Sequence, residues 1–241
     1  MKFTYLLRRL FITKKCVLCK EPISYDTSEP FCDECIAHWK ALTEIKCHKC
    51  GYKRNECSCL PNQIRQFSKY GAAWCVFYEG KTYSAINNLV FRLKREYNKD
   101  MIDFCATQMA KSIKLLCSRH GLNYKEYIIT YAPRRKKGKI KYGFDQSKKL
   151  AYAISKILGI EVENCIINEG QDEQKGLSKE LRRENAQKSY SVYKKSQIKD
   201  KKYFLVDDIM TTGSTLKTCA HMLLNLGAND VIPVTYAKDN K

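Results

Sequence analysis

Eight of the thirteen cysteines lie in one short N-terminal segment, where their spacing suits metal binding. They form four close pairs, namely Cys16 with Cys19, Cys32 with Cys35, Cys47 with Cys50, and Cys57 with Cys59. A pair with two intervening residues turns tightly enough for both thiolates to bind one ion, and two such pairs complete the tetrahedral sulfur site that zinc prefers. The sequence therefore predicts one or two zinc ions.

Sequence order assigns the first four of these cysteines to one ion and the last four to another, although spacing alone leaves an interleaved pairing open. The second group is less regular, because Cys57 and Cys59 are separated by one residue and His48 is an alternative ligand. Unmetallated thiols and an iron–sulfur cluster are the other interpretations. A closed four-cysteine site has no open coordination position, so we expect the metal to serve folding.

A second group of polar residues follows an apolar run near the C-terminus. Lys202–Val206 predicts a buried strand, Asp207 and Asp208 follow it, and a glycine-containing turn then opens a predicted helix. The backbone N–H groups of such a turn, with the helix dipole behind them, bind phosphate. Adjacent carboxylates suit the vicinal hydroxyls of a ribose. The pattern predicts a sugar-phosphate site formed by Asp207, Asp208, Thr211, Thr212, Gly213, Ser214 and Thr215.

The alternative for this stretch is an acidic turn and a capped helix with no ligand. Two neighbouring carboxylates repel each other unless something uses them, which favours the ligand site. The stretch has no Gly-Lys-Ser/Thr sequence, so it is not a P-loop.

Alternating strand and helix patterns surround this site. The predicted strands are Lys69–Tyr78, Tyr127–Tyr131, Ile160–Ile167, Lys202–Val206 and Val231–Tyr236. The predicted helices are Ile86–Leu93, Asp100–Cys117, Lys148–Leu158 and Thr215–Leu226. This order predicts an α/β fold, a parallel sheet with helices on both faces. A boundary near Pro61–Gln66 divides the chain into a cysteine-rich module, residues 1–63, and an α/β domain, residues 64–241.

The chain is strongly basic, with a formal net charge of +19. Such an excess favours a polyanionic partner: nucleic acid, a phosphorylated ligand or an anionic membrane surface. Between Pro133 and Lys149 there are eight basic residues and one acid, interleaved with Tyr142 and Phe144. Cations that neutralise phosphates and aromatics that stack on bases are typical of non-specific single-stranded DNA binding. The alternative is a basic loop that serves only a pyrophosphate.

Export and membrane signals are missing from the sequence. No apolar run approaches the roughly 18 residues that span a bilayer. The start of the chain is basic, but Arg8 and Arg9 break its apolar stretches, and no small-residue cleavage site follows. Cytosolic thiols stay reduced, so disulfides explain thirteen cysteines poorly. We expect a cytoplasmic protein without a transmembrane segment, which leaves peripheral membrane contact open.

The turn after Asp208 resembles the ribose-5-phosphate motif of type I phosphoribosyltransferases. Pro133-Arg134-Arg135, Tyr142-Gly143-Phe144-Asp145-Gln146 and the segment Gln174–Asn185 resemble conserved-motif segments of the ComF family. With the N-terminal cysteine pairs, the resemblance covers nearly the whole chain, which is identified as a member of that family. Two residues depart from the pattern: Tyr142 and Asp145 replace Arg and Asn. Lys139 and Lys141 are substitutes for the missing arginine.

The resemblance implies a type I phosphoribosyltransferase domain preceded by zinc ribbons. It implies phosphoribosyl pyrophosphate with Mg²⁺ as ligand, with Asp207 and Asp208 on the ribose hydroxyls and Thr211–Thr215 on the 5-phosphate. The turn from Ala132 would face the pyrophosphate. The basic residues that would bind pyrophosphate, DNA or both are Arg134, Arg135, Lys136 and Lys137.

Two classes of function follow. Through the resemblance, the first is a competence protein that handles incoming single-stranded DNA during natural transformation, beside a ComFA-type helicase. The second is an active phosphoribosyltransferase that modifies a nucleobase or a related amine. The sequence identifies no catalytic residue and no acceptor, so it favours ligand binding over turnover.

Overall fold

The structure is a computed structural model in which most of the chain can be described. The described residues are 14–24, 27, 29–78, 85–169, 189–193 and 197–240. The segment Gln174–Asn185, which carries part of the family resemblance, lies outside the described residues.

Strands and helices are numbered here in chain order. The strands are β1 (Lys14–Lys15), β2 (Pro22–Ile23), β3 (Ala73–Tyr78), β4 (Tyr127–Tyr131), β5 (Ile166–Asn168), β6 (Tyr190–Val192), β7 (Lys202–Met210) and β8 (Asp230–Asp239). The helices are α1 (Asp33–Thr43), α2 (Asn62–Arg65), α3 (Ala85–Arg95), α4 (Lys99–His120), α5 (Lys136–Tyr142), α6 (Gln146–Leu158) and α7 (Ser214–Asn225).

The central sheet has four parallel strands in the order β3-β8-β7-β4. Its two middle strands are almost continuously buried, as expected where both faces of a sheet are covered. Because the strands are parallel, their carboxyl ends meet at one edge, where ligands of open α/β sheets bind. Asp207 on β7 and Lys238 on β8 lie at this edge.

Helices cover both faces of the sheet. On one face, α3, α4 and α6 contribute Leu89, Leu93, Met109, Ile113 and Ile154 to a core with the β7 residues Phe204 and Val206. On the other face, α7 packs against Tyr203 and Leu205. The predicted α/β fold with helices on both faces is therefore confirmed.

Local capping explains where the longest helices begin and end. The side chain of Asn98 accepts a hydrogen bond from the backbone N–H of Met101 at the start of α4, and Gly121 ends that helix in the left-handed conformation. Asp145 caps α6 in the same way, and Gly159 ends it. Both ends of α6 are thus fixed by its own sequence, which holds its first residues against the sheet edge.

The N-terminal cysteine segment packs against the sheet domain on both sides. Phe31 meets Phe104 of α4 edge to face at 4.7 Å, and Trp39 Nε1 donates a hydrogen bond to the Tyr236 hydroxyl at 2.9 Å. Cys47 and Cys57 belong instead to the core on the α7 face. The first and second cysteine groups therefore lie on opposite faces of one sheet.

Two predictions of local structure were wrong. Ile160–Ile167 is not one strand: Val162 makes a single bridge to Ile129, and the chain then forms the antiparallel pair of β5 and β6. The segment after Pro133, interpreted as a basic loop, contains the short helix α5. Its lysines hide the helical signal, because they leave no apolar face to detect. Among the described helices, none is both long and apolar enough to cross a bilayer.

Candidate functional site

Two carboxylates stand at the centre of the candidate sugar site. Both belong to β7 itself rather than to the loop after it, because the strand continues to Met210. Asp207 Oδ1 accepts hydrogen bonds from Ser147 Oγ at 3.0 Å and from the backbone N–H of Asp208 at 2.9 Å. Asp208 Oδ2 accepts one from Gln146 Nε2 at 3.0 Å. The start of α6 thus fixes the orientation of both carboxylates.

Opposing effects set the pKa of Asp207: burial and the neighbouring carboxylate raise it, and hydrogen bonds and the charge of Lys94 lower it. Burial and the neighbouring Asp208 raise the pKa of Asp207 to about 7, although the hydrogen bond from Ser147 lowers it. Lys94 at the end of α3 brings its ammonium to 3.8 Å from Asp208 Oδ2. The two acids therefore share a site in which one of them titrates near neutral pH.

The predicted phosphate loop connects β7 to α7. Gly213 has φ +81°, a left-handed conformation that favours glycine, and it is the N-cap of α7. The hydroxyls of Thr212 and Ser214 lie 2.9 Å apart and are exposed. The first N–H groups of the helix and these hydroxyls are thus presented at the edge of the sheet, where a phosphate would bind.

The short helix α2 packs against this loop. A Cβ atom on Gly213 would lie 2.8 Å from Ile64 Cδ1, so the loop is packed directly on α2. Lys217 of α7 also donates a hydrogen bond to the Gln66 side chain at 2.6 Å. The helix α2 follows the second cysteine group in the chain, so this group is connected to the phosphate loop through only a few residues.

Arg134 is partly used within the protein. Its backbone N–H donates to Asp145 Oδ2 at 2.9 Å, and its guanidinium donates to the carbonyl of Lys94 at 2.8 Å and lies 4.2 Å from the centre of the Tyr142 ring. Gly138 leaves room for this side chain, since a Cβ there would lie 2.7 Å from Arg134 Nε. The three basic residues that follow, Arg135, Lys136 and Lys137, are exposed on α5 and at its start.

The departures from the family pattern have structural partners here. Asp145 is buried and caps α6, and its Oδ2 forms an ion pair with Lys139 Nζ at 3.2 Å. Tyr142 stacks under Arg134. Lys139, named above as a substitute for the missing arginine, is therefore paired with Asp145.

A basic and aromatic surface extends from this turn. We call it the basic face and define it by α5, the first turns of α6, and Tyr97. Lys149 lies 5.0 Å from the Tyr97 ring centre, and Lys148 lies 5.9 Å from that of Tyr152. Tyr97 and Tyr152 are both exposed. Cations and exposed aromatic rings thus alternate on this face.

Each predicted group of four cysteines is gathered by the fold. The sulfur atoms of Cys16, Cys19, Cys32 and Cys35 all lie within 4.8 Å of one another, and so do those of Cys47, Cys50, Cys57 and Cys59. The sequential grouping is the one the structure forms. Zn–S bonds of about 2.3 Å place the sulfurs of a tetrahedral site about 3.8 Å apart. Cys19 and Cys32 have their sulfurs 3.7 Å apart, so the first group fits a zinc ion.

The two groups share one local structure. The backbone N–H of Cys16 donates to Glu21 and that of Cys47 to Tyr52, at 2.8 and 2.9 Å. Backbone hydrogen bonds act on both leading thiols: burial raises the pKa of Cys16, but the N–H groups of Cys19 and Cys32 outweigh it and lower the pKa to about 7. The same balance lowers the pKa of Cys47 to about 6. Four thiols gather in the second group without His48.

The sequence missed the groups that come from distant elements. Ser147 and Lys94 gave no signal, because a lone Ser and a lone Lys in helical patterns are common. Gln146 was visible only as part of the family pattern. Lys238, at the end of β8, was also missed, although a lysine closing an apolar strand is a recognisable exception.

Residues 146–241 match the model of the family described as Phosphoribosyl transferase domain. The matched region contains β7, the phosphate loop, α7 and β8, together with the start of α6 that holds the two carboxylates. Among curated proteins, the chain is 33% identical over 92 residues to Competence protein F of Haemophilus influenzae. That match covers 37% of this chain and 40% of that protein. The predicted ComF-like type I phosphoribosyltransferase domain is confirmed.

Solved structures that match part of the chain include purine phosphoribosyltransferase from Pyrococcus horikoshii, 20% identical with a TM-score of 0.35, covering 61% of this chain and 78% of that chain. Another is a hypoxanthine phosphoribosyltransferase from Staphylococcus aureus, 14% identical with a TM-score of 0.34, covering 55% of this chain and 62% of that chain. The hypoxanthine-guanine phosphoribosyltransferase of Schistosoma mansoni is 17% identical with a TM-score of 0.31, covering 57% of this chain and 55% of that chain.

Proposed function

We propose that the protein binds phosphoribosyl pyrophosphate with Mg²⁺ at the carboxyl edge of the sheet. One observation supports this proposal most directly. Two oriented carboxylates, Asp207 and Asp208, lie near the end of β7, and the loop that follows them leads into the N-terminus of α7. Carboxylate oxygens and the oxygens of a sugar pyrophosphate are the ligands that Mg²⁺ prefers. Lys94 and Arg134 supply positive charge on the side of the pyrophosphate.

The proposal extends to single-stranded DNA on the basic face. Three observations support it: the net charge of +19, the exposed cations of α5, and the exposed rings of Tyr97 and Tyr152. Phosphate neutralisation and base stacking need no particular sequence, so binding should be non-specific. The basic face adjoins the sugar site through Arg134, which contacts α3 beside Lys94.

In this proposal the protein acts in the cytoplasm, as a ComFC-like competence protein that handles incoming DNA during natural transformation next to a ComFA-type helicase. The match to a competence protein supports this role. A second candidate is an active phosphoribosyltransferase, which requires a site for an acceptor. The match of residues 146–241 to the phosphoribosyl transferase model favours that candidate, and release of pyrophosphate from labelled phosphoribosyl pyrophosphate with candidate acceptors would test it.

Ligand binding is tested by thermal unfolding with and without phosphoribosyl pyrophosphate and Mg²⁺. A ligand that binds only the folded state raises the melting temperature by mass action. The double variant Asp207→Ala with Asp208→Ala should lose this shift and still unfold cooperatively. A full shift in the folded double variant would contradict the proposed site.

DNA binding is tested by fluorescence anisotropy at two salt concentrations. Replacing Arg134, Arg135, Lys136 and Lys137 by Ala should weaken binding and reduce its salt dependence, because fewer counterions are released. The Asp207/Asp208 double variant is the matched control and should bind DNA like the wild type. Equal affinity of the wild type and the four-residue variant would move the DNA site away from the basic face, with the cysteine segment as the next candidate.

A further inference from the structure

Asn240, the residue directly after β8, reaches the second cysteine group from a distant part of the chain. Its side-chain oxygen accepts a hydrogen bond from the backbone N–H of His48, and its side-chain nitrogen donates one to the carbonyl of Lys46, both at 3.2 Å. These two residues flank Cys47, the first cysteine of the group. One amide therefore holds the turn that begins at Cys47 on both sides of that residue.

The sheet in turn holds Asn240 in place. The residue is 3% exposed, and its backbone N–H donates to the carbonyl of Tyr78, at the end of β3, at 3.0 Å. A buried amide that uses both its donor and its acceptor on backbone groups fixes the separation of those groups. The turn of the second cysteine group is thus connected to two neighbouring strands of the central sheet.

Lys238 brings a buried positive charge to the same group. The residue is 4% exposed, and its ammonium lies 5.0 Å from the ring centre of Phe77 and 5.3 Å from that of Trp74. Both rings share one core with Cys47 and Cys57. Burial and the neighbouring thiols raise the pKa of the Cys57 thiol to about 12, whereas the charge of Lys238 acts to lower it. Lys238 therefore lies close enough to favour a thiolate at Cys57.

The charge of a four-thiolate metal site explains a buried lysine at this position. Four thiolates on one Zn²⁺ leave an excess of negative charge, and a buried charge is stable only with a compensating partner. In the part of the chain that the structure describes, no carboxylate forms an ion pair with Lys238. The metal site and the ammonium therefore offset each other, and the aromatic faces cover the rest of the cation.

The first cysteine group has a different arrangement. The guanidinium of Arg92, on α3, donates to the backbone carbonyls of Val17 and Leu18 in the first turn of that group. Arg92 also pairs with Glu96 at 3.2 Å, so a carboxylate already offsets its charge. The sheet domain thus contacts each group through a cation, but only the lysine at the second group has its charge available to the thiolates.

We propose that Lys238 and Asn240 complete the second metal site: Lys238 offsets the negative charge of its thiolates, and Asn240 holds the turn that carries Cys47. Both residues position and stabilise the ligands and do not bind the metal. Replacing residues of this kind usually weakens metal binding by about ten- to a hundredfold. The inference requires zinc at the second cysteine group and does not rest on the proposed binding of phosphoribosyl pyrophosphate or DNA.

Competition with a chromogenic chelator measures how tightly the full chain holds its zinc ions. Lys238→Met keeps the length of the side chain and removes its charge, so it should weaken one zinc ion by about ten- to a hundredfold and leave the other unchanged. Asn240→Ala should weaken the same ion. Lys238→Arg keeps the charge and should hold zinc more tightly than Lys238→Met.

Lys202→Met is the matched control, since Lys202 lies at the start of β7, at the other edge of the sheet, and pairs with Glu126. It should hold both zinc ions like the wild type.

Cadmium NMR identifies which site is affected, because each four-thiolate site gives its own resonance when cadmium replaces zinc. Lys238→Met and Asn240→Ala should displace the same resonance. Arg92→Leu changes the surroundings of the first group and should displace the other one. A general loss of stability would act on both resonances, so this pattern separates a role at one metal site from a merely structural role.

Three outcomes would overturn the inference: a zinc content that Cys47→Ser leaves unchanged, zinc affinities in Lys238→Met and Asn240→Ala equal to those of the wild type, or equal weakening of both zinc ions. Displacement of one shared cadmium resonance by Lys238→Met and Arg92→Leu would also contradict it. If only one of the two β8 variants weakens zinc binding, the other residue has no part in the site. If Lys238→Met fails to fold, Lys238→Gln, which also lacks the charge, is judged by the same criteria.

Discussion

The two cysteine groups have the same local structure and different surroundings. In both, the leading cysteine bonds through its backbone N–H to the residue five positions later, and the residue after the first pair, Lys20 or Gly51, is left-handed. The first group packs beside α4 through Phe31 and Trp39, on the face of the sheet that lies away from the phosphate loop. The second leads within a few residues into α2, on which the phosphate loop rests.

This difference separates two consequences of one chemistry. Spacing of cysteines predicts a metal site, but it gives no information on what the site supports. The first group packs on the face of the sheet that α3, α4 and α6 cover, whereas the second leads into α2, on which the phosphate loop rests. Loss of metal from the two cysteine groups should therefore have different effects on the binding of phosphoribosyl pyrophosphate.

The largest expected effect is that of removing the metal. Elemental analysis should find about two zinc ions per chain, and chelation should cost stability on the order of 10 kcal/mol per structural site, because metal binding and folding are coupled. Less than one equivalent of zinc in protein purified without chelator would contradict the two-site prediction. Acid should also release the ions, since the ligands are thiolates.

Single substitutions distinguish the two groups within this prediction. Cys16→Ser should lower the melting temperature but leave the shift produced by phosphoribosyl pyrophosphate. Cys59→Ser should lose most of that shift, because Cys59 lies a few residues before α2, on which the phosphate loop rests. If both variants keep the shift, the second group has no part in the ligand site.

A smaller effect is expected from tightening the contact between the phosphate loop and α2. Gly213→Ala must accommodate a left-handed φ and a Cβ at 2.8 Å from Ile64, which should cost roughly 1–3 kcal/mol. Gly159→Ala is the matched control, because Gly159 is left-handed with nothing within 4 Å of its Cβ position. Denaturant unfolding gives the difference between the two variants. Equal losses would mean that the contact with Ile64 is unimportant.

The smallest expected effect is a displacement in pH dependence. With the pKa of Asp207 raised to about 7, the ionised acceptor is lost as the pH falls, so affinity for phosphoribosyl pyrophosphate should drop about tenfold between pH 8 and pH 6. Ser147→Ala removes a hydrogen bond that favours the carboxylate, so its pKa rises and the midpoint moves to higher pH.

The ligand has its own titrating phosphate, so only the displacement between variants is informative. Ser155→Ala is the control for Ser147→Ala, because Ser155 lies on the same helix and bonds to Ile160 instead. Its midpoint should match that of the wild type. An unchanged midpoint in Ser147→Ala would show that this hydrogen bond does not control the carboxylate.

The features that the sequence predicted are those written in neighbouring residues. The cysteine pairs, the turn after Asp208 and the alternation of strands and helices each depend on spacing within a short segment, so they could be recognised without knowing the fold. The start of α6 was misplaced by only two residues, because its cap, Asp145, lies beside it. The helix α5 was missed, since four cations and one apolar residue in seven positions produce no periodic pattern.

By itself, then, the sequence determined which chemistry is present: thiols for a metal, carboxylates and a helix N-terminus for a sugar phosphate, and cations for a polyanion. Only the tertiary structure decided what each group meets. Ser147 and Lys94 reach the carboxylates from two separate helices, and the parallel strands bring Lys238 to the same edge as the phosphate loop. The physical reason is that burial, pairing of charges and shared walls are properties of packing between distant segments, which no local pattern encodes.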